Sequence, residues 1–269
     1  MERGLPQEVI EKPKREVSLS DRFRFECKRC GRCCFTCEIV LTPYDLLRLC
    51  EGLRMTTGEF LHRYAQISLG PESRLPICWL DFERVQRWRG GDDQSPPCPF
   101  LALEGGRFAC GVYPFRPGCC RSYPLFRMAE AGGEPKFYLQ EVSCPAADTT
   151  REYTVAEWIE HEGLAPYHRE GDKFLAQVMA LVEARQEWPE EFLQLLSGLW
   201  YDYSRLREGE SLKEKYELAM QGAGLLIDGV IKLYRGEENL NEVKDRMGGL
   251  QGAKGESGHR GRPQALRPS

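Results

Sequence analysis

The chain predicts an α+β fold, mostly α: a small irregular cysteine-rich metal-cluster domain with short helices and a hairpin, followed by a helical domain. Three observations predict it. All twelve cysteines lie at or before Cys144, four of them in the run Cys27-Lys-Arg-Cys30-Gly-Arg-Cys33-Cys34. Over the same stretch, glycine and proline break the chain into short elements. From Thr150 onward cysteine stops and apolar residues recur at helical spacing. The boundaries that follow are a flexible N-terminal arm over 1–20, a cysteine-rich domain over 21–149, a helical domain over 150–240 and a flexible glycine-rich tail over 241–269.

Each element has its own justification. Residues 1–20 are polar and charged with two prolines, which predicts a loose arm. After the cysteine run, Thr42 as N-cap and Pro43 at the first helical position open a helix whose Leu46, Leu47 and Cys50 share a face. A second short helix spans Thr57 to Tyr64, with Phe60, Leu61 and Tyr64 at helical spacing. Gly90 to Pro97 is a turn-rich loop, and Leu101 to Cys110 predicts a hairpin about Gly105-Gly106. Lys136 to Val142 predicts one more strand, ending at Cys144-Pro145.

In the second half, Thr154-x-x-Glu157 and Ser211-x-x-Glu214 are capping boxes, and Pro189 marks a helix start. Three apolar stripes follow: Phe174, Val178, Leu181, Val182; then Phe192, Leu195, Leu196, Leu199, Trp200, Tyr203; then Tyr216, Met220, Ala223, Ile227, Val230, Tyr234. Such stripes predict helices packed on one another, the last two as an antiparallel pair. Glycines at 249, 252, 255, 258 and 261 have the period of a collagen helix, but the triplets are few and proline-poor, so a flexible tail is expected.

Composition excludes several classes. A net charge of −4 argues against general affinity for nucleic acid. No stretch approaches the roughly 20 apolar residues that cross a bilayer, and no apolar segment of a secretory signal opens the chain. A cytoplasmic protein with reduced cysteines is expected, with neither nucleic acid nor membrane as partner. No phosphate-binding glycine loop is present, so nucleotide binding has no support.

The chemistry concentrates in the cysteines. A C-x2-C-x2-C run curls the backbone so that thiolates converge, which suits corners of an iron–sulfur cube or most of a tetrahedral zinc site. Cys98, Cys110, Cys120 and Cys144 can complete either. Disulfides between neighbours so close would be strained. Cys27-x2-Cys30-x2-Cys33-x3-Cys37 also follows the bacterial ferredoxin run, except that Glu38 stands in place of proline and the run is not repeated. Adjacent residues tend to direct side chains apart, so Cys33 and Cys34 are expected to serve different sites or different faces. Four thiolates on zinc, or on an oxidised [4Fe–4S] core, leave a net charge of about −2. Arg22, Arg24, Lys28, Arg29, Arg32, Arg116 and Arg121 surround the motifs and can offset it. The four histidines form no ligand pair.

One ordered series of motifs extends further: Phe25-x-Cys27-x2-Cys30-x2-Cys33-Cys34, Leu41-Thr42-Pro43-x-Asp45, Glu59-Phe60-Leu61, Cys98-Pro99-Phe100-Leu101, Cys110-x-Val112-Tyr113 and Arg116-Pro117-x2-Cys120-Arg121-x-Tyr123-Pro124. This series resembles the YkgJ-like CxxCxxCC cysteine-cluster family, described as zinc- or iron-chelating and often as iron–sulfur proteins. The resemblance runs from about Phe25 to Cys144. By position it implies ligands at Cys27, Cys30, Cys33, Cys34, Cys98, Cys110 and Cys120, with Cys144 as an eighth. Eight thiolates allow two four-cysteine sites, or one cluster with spare thiols. Cys37, Cys50, Cys78 and Cys119 fall outside the matched positions. Cys50 and Cys78 are expected to be buried apolar residues, whereas Cys37 and Cys119 are near enough to ligands to replace them.

The expected function is therefore a cytoplasmic metal-binding protein with an iron–sulfur cluster, [4Fe–4S] above other types, in a redox or structural role with a redox or other protein partner. Zinc in a structural module that presents the helices to a partner protein is the alternative cofactor reading. A third reading is enzymatic, because part of the wider family resembles flagellin lysine methylases, but no glycine-rich Rossmann loop for S-adenosylmethionine is present.

Overall fold

A computed structural model describes residues 14–28, 31–36, 38–83, 97–129, 133–141, 149–239 and 241–242. The fold is α+β and mostly helical, with small antiparallel sheets. Strands β1 (Lys14–Val17) and β2 (Arg22–Arg24) lead into helix α1 (Arg32–Thr36). Then come β3 (Val40–Leu41), α2 (Pro43–Leu53), α3 (Thr57–Tyr64), β4 (Ala65–Leu69) and β5 (Pro76–Leu80). The hairpin β6 (Leu101–Glu104) and β7 (Arg107–Cys110) precedes α4 (Gly118–Ser122), β8 (Leu125–Met128), β9 (Lys136–Gln140) and β10 (Glu152–Thr154). Four helices close the described chain: α5 (Val155–His161), α6 (Ala165–Glu183), α7 (Glu190–Tyr201) and α8 (Leu212–Tyr234).

Local chemistry starts these helices where the sequence expects. Thr42, Thr56, Thr154 and Ser211 each accept a hydrogen bond from the backbone N–H three residues on, and Asp45, Glu59, Glu157 and Glu214 reach back to the cap. Each reciprocal pair satisfies two otherwise orphaned N–H groups. Gly105 and Gly106 both take positive φ, 56° and 79°, which a two-residue hairpin turn requires.

Strand pairing was less legible. Lys14–Val17, within the expected loose arm, form β1 and pair antiparallel with β9, Lys14 opposite Gln140 and Val17 opposite Phe137. β8 flanks β9 on its other side, and β2 pairs with β10. These strands and α5 enclose a small core of Val17, Phe23, Phe25, Leu125, Phe137, Val155 and Trp158.

The main core takes residues from both sides of residue 150. Leu41, Leu46, Leu49, Phe60 and Cys78 pack with Leu181, Leu196, Trp200, Tyr203, Tyr216 and Ala223. Each fully buried leucine contributes about 1.5–3 kcal/mol of transfer free energy. Buried tyrosines stitch the two parts: the Tyr203 hydroxyl donates to the Pro43 carbonyl and that of Tyr201 to the Pro76 carbonyl, each at 3.3 Å. The apolar stripes are narrower than expected. Val182, Leu195 and Tyr234 are exposed, because they lie at the outer edge of faces whose centres already fill the core. The loop from Gly90 to Ser95 and the glycine-periodic tail lie outside the described residues.

Candidate metal centre

The first cysteine motif turns at Gly31. Its φ is +73°, and a Cβ there would stand 3.0 Å from the Phe108 ring. Glycine alone lets the chain reverse against that ring and enter α1. The Cys34 N–H donates to the Gly31 carbonyl at 2.8 Å, closing the turn. The Cys33 and Cys34 sulfurs then lie 4.0 Å apart, so the expectation that they serve different faces is corrected. Side chains of adjacent helical residues diverge by only about 100°, which leaves both sulfurs on one side.

Three further segments bring cysteines to α1. The Cys98 N–H donates to the Cys34 carbonyl at 2.7 Å, pinning the Cys98 loop. Cys110 sits opposite Leu101 at the open end of the hairpin, beside that loop. Cys120 lies on α4, whose start is held from α2: the Gly118 N–H donates to Asp45 Oδ1 at 2.7 Å. The other oxygen of Asp45 accepts from the Thr42 N–H and hydroxyl at 2.9 and 2.7 Å. Asp45 is buried, and burial pushes its carboxyl up while these bonds draw it down. One aspartate thus caps α2 and sets the position of Cys120. The sequence shows the cap; the second bond depends on tertiary structure and was missed.

The thiols of Cys33, Cys98, Cys110 and Cys120 form a tetrad in which every member interacts electrostatically with the other three. Cys34 joins Cys33, Cys98 and Cys110. Hydrogen bonding with the Cys34 thiol draws Cys33 down to about 6, aided by Arg116, and pushes Cys34 up. Burial pushes Cys98 up to about 12 and also raises Cys110. Cys120 is pushed well above the usual thiol range, first by hydrogen bonding with Cys119 and then by burial. Most of these thiols therefore hold their protons until a cation displaces them.

The donor set is soft, and thiolate donors suit zinc and iron–sulfur clusters. Among the described residues, no three His, Cys, Asp or Glu side chains form a group that could hold a metal ion as they stand. The described thiols are gathered rather than closed on a point. Cys27 is exposed just beyond β2, while Cys30, Cys37 and Cys144 lie outside the described residues. Cys119 is exposed beside Cys120. Cys50 and Cys78 are wholly buried in the main core, as apolar fillers should be. The Cys50 thiol points to the Thr56 carbonyl at 3.8 Å, and burial pushes Cys78 up to about 12. His161 stacks near Tyr153 and Trp158, and His168 faces Phe137.

The expected cations divide into two sets. Arg22 and Arg24 pair with Glu152, and Lys28 with Glu26, all at the surface. Arg116 is buried and acts electrostatically on Cys33 and Cys110. Arg29, and the side chain of Arg32, lie outside the described residues.

Comparison with known proteins agrees with the motif series. Residues 26–145 match the family model CxxCxxCC, described as "Putative zinc- or iron-chelating domain". No curated protein and no solved structure matches the chain. The segment that carries the thiol tetrad, residues 26–145, thus matches the CxxCxxCC zinc- or iron-chelating domain that the motif series resembles.

Proposed function

We propose that the chain carries an iron–sulfur cluster of the [4Fe–4S] type, with Cys33, Cys98, Cys110 and Cys120 as its nearest ligands. The observation that carries this reading is the tetrad, four thiols from four separate segments, each in electrostatic reach of the rest. A cube takes one thiolate at each iron, so ligands dispersed along a chain suit it. When bound, the cluster would supply either one-electron chemistry or a cross-link among α1, the hairpin and α4. Cys27, Cys30, Cys34 and Cys144 complete the set of eight, as ligands of a second site or as a reserve. No helix among the described residues is long and apolar enough to cross a membrane. Reduced thiol ligands suit the cytoplasm, where a redox partner protein would meet the exposed surface at Cys33 and Cys119.

A zinc site is the second reading, and one distance favours it. With Zn–S bonds of about 2.3 Å, a tetrahedral site has an S···S edge of roughly 3.8 Å. The Cys33 and Cys34 sulfurs lie 4.0 Å apart. Anaerobic purification with iron, sulfide and zinc analysis separates the readings. A brown protein with matched iron and sulfide supports the cluster. A colourless protein with stoichiometric zinc replaces it with the second reading, and the absence of both overturns the metal centre.

A further inference from the structure

We propose that β4 is a self-association edge, pairing antiparallel with β4 of a second copy of the chain; the proposal does not depend on the metal-centre reading. β4 ends the sheet β3-β5-β4, so one of its sides faces no strand among the described residues. Two hydrogen bonds show which groups that side presents. The Asp81 N–H donates to the Tyr64 carbonyl at 2.7 Å, and the Gly70 N–H to the Leu75 carbonyl at 2.9 Å. Hydrogen-bonded positions alternate along an antiparallel pair, so Gln66 and Ser68 also turn to β5. Ile67 and Leu69 therefore direct N–H and C=O outward. In agreement, Leu69 lies opposite Pro76, which has no N–H to offer it. The side chains of Ile67 and Leu69 are open as well, 37% and 42% exposed.

Exposed sheet edges are normally blunted by charge, proline or a bulge. Ala65-Gln66-Ile67-Ser68-Leu69 has no charged residue and no proline, and its register with β5 runs unbroken. A second copy answers this edge group for group. With a two-fold axis at Ser68, Ile67 of each copy stands opposite Leu69 of the other, and each such pair exchanges both N–H···O=C bonds. The outward groups of both residues are then satisfied, and apolar side chains meet across the seam. Charge agrees with the antiparallel sense. Arg63 precedes the strand and Glu72 follows it, both exposed, so each end of β4 comes beside the unlike charge of its copy. A strand of five residues buries little area, which predicts a weak, concentration-dependent dimer.

Sedimentation equilibrium of the full chain under reducing conditions, over a wide concentration range, tests this together with amide hydrogen exchange. The apparent mass should rise from 30.8 kDa towards twice that value, and the Ile67 and Leu69 amides should gain protection in step. Leu69→Pro removes an outward donor without removing a bond to β5, and Ile67→Lys sets a charge on each side of the axis. Both variants should keep the monomer mass over the same range. Val40→Lys, at an exposed apolar position on the far strand β3, should dimerise as wild type does. A wild-type mass that stays monomeric throughout overturns the proposal, and would leave the edge to a strand of another protein or to the chain itself. So does a dimer that survives both Leu69→Pro and Ile67→Lys, or one that Val40→Lys also abolishes. Should Leu69→Pro fold poorly, Ile67→Lys decides the matter, because it leaves the backbone intact. Metal content enters none of these readouts, so failure here and failure of the metal centre are distinct.

Discussion

Serine at Cys33, Cys98, Cys110 or Cys120 should lower bound metal, because a hydroxyl is a harder and far less acidic donor than a thiol. Serine at Cys50 or Cys78 should leave metal content unchanged while lowering stability. Both residues are wholly buried, and a buried hydroxyl left without a partner costs about 1–3 kcal/mol, so the loss should be larger at Cys78 than at Cys50, whose thiol already points to the Thr56 carbonyl. Metal analysis and thermal unfolding of this series check both halves of the prediction. Cys119→Ser set beside Cys120→Ser resolves which of that adjacent pair binds. At this scale the sequence was legible for residue type and poor for direction. Spacing marks Cys27 to Cys34 as candidate ligands, but whether Cys33 and Cys34 point together depends on their lying in a helix rather than an extended turn. The part played by Asp45 needs two segments seventy-three residues apart, which no local pattern encodes.

At the scale of elements, Asp45→Ala should uncap α2 and release α4 together. Loss of a cap alone costs about 0.5–2 kcal/mol. The release of Gly118 should in addition speed metal loss, because Cys120 sits on the helix that Asp45 anchors. A melting point lowered with metal retention unchanged would show that α4 needs no such anchor. A second element contact sets a pH dependence. Arg127 of β8 makes a two-pronged pair with Asp172 of α6, at 2.6 and 2.8 Å, beside His168. Burial first, and then Arg127, draw His168 down to about 4 from its ordinary 6.5, with Asp172 opposing. The folded protein thus binds this proton less readily than the unfolded chain. Stability contributed by neutral His168 is full above about pH 6.5 and is lost as pH falls towards 4. Denaturant unfolding between those pH values should show that loss, and His168→Gln should flatten it. Helix starts were legible because a capping box is a four-residue event. Strand β1 was not, since its partner is more than a hundred residues away and nothing in Lys14–Val17 announces it.

For the whole molecule, the mixed core changes what metal removal should do. Because α2 and α3 pack with α7 and α8 in one core, stripping the metal should spare them along with the helices after residue 150. Loosening should concentrate in α1, the β6–β7 hairpin and α4, whose cysteines interact electrostatically and whose regular structure is short. Hydrogen exchange before and after chelation would display that pattern; equal loss of protection in α2 and α8 would contradict it. The mostly helical α+β class was legible from apolar periodicity and cysteine distribution. The joining of the two halves was not, because stripes in Leu46 to Cys50 and in Tyr216 to Ile227 show what is buried without showing against what.

An X-ray absorption spectrum at the metal edge of anaerobically purified protein tests the thiolate-held centre most directly. A first shell made of sulfur alone, at about 2.3 Å for zinc, or a sulfur shell with an iron neighbour beyond it for a cluster, is the predicted result. A shell dominated by nitrogen or oxygen donors would contradict it, and would turn attention from the Cys33–Cys98–Cys110–Cys120 tetrad to a different set of residues.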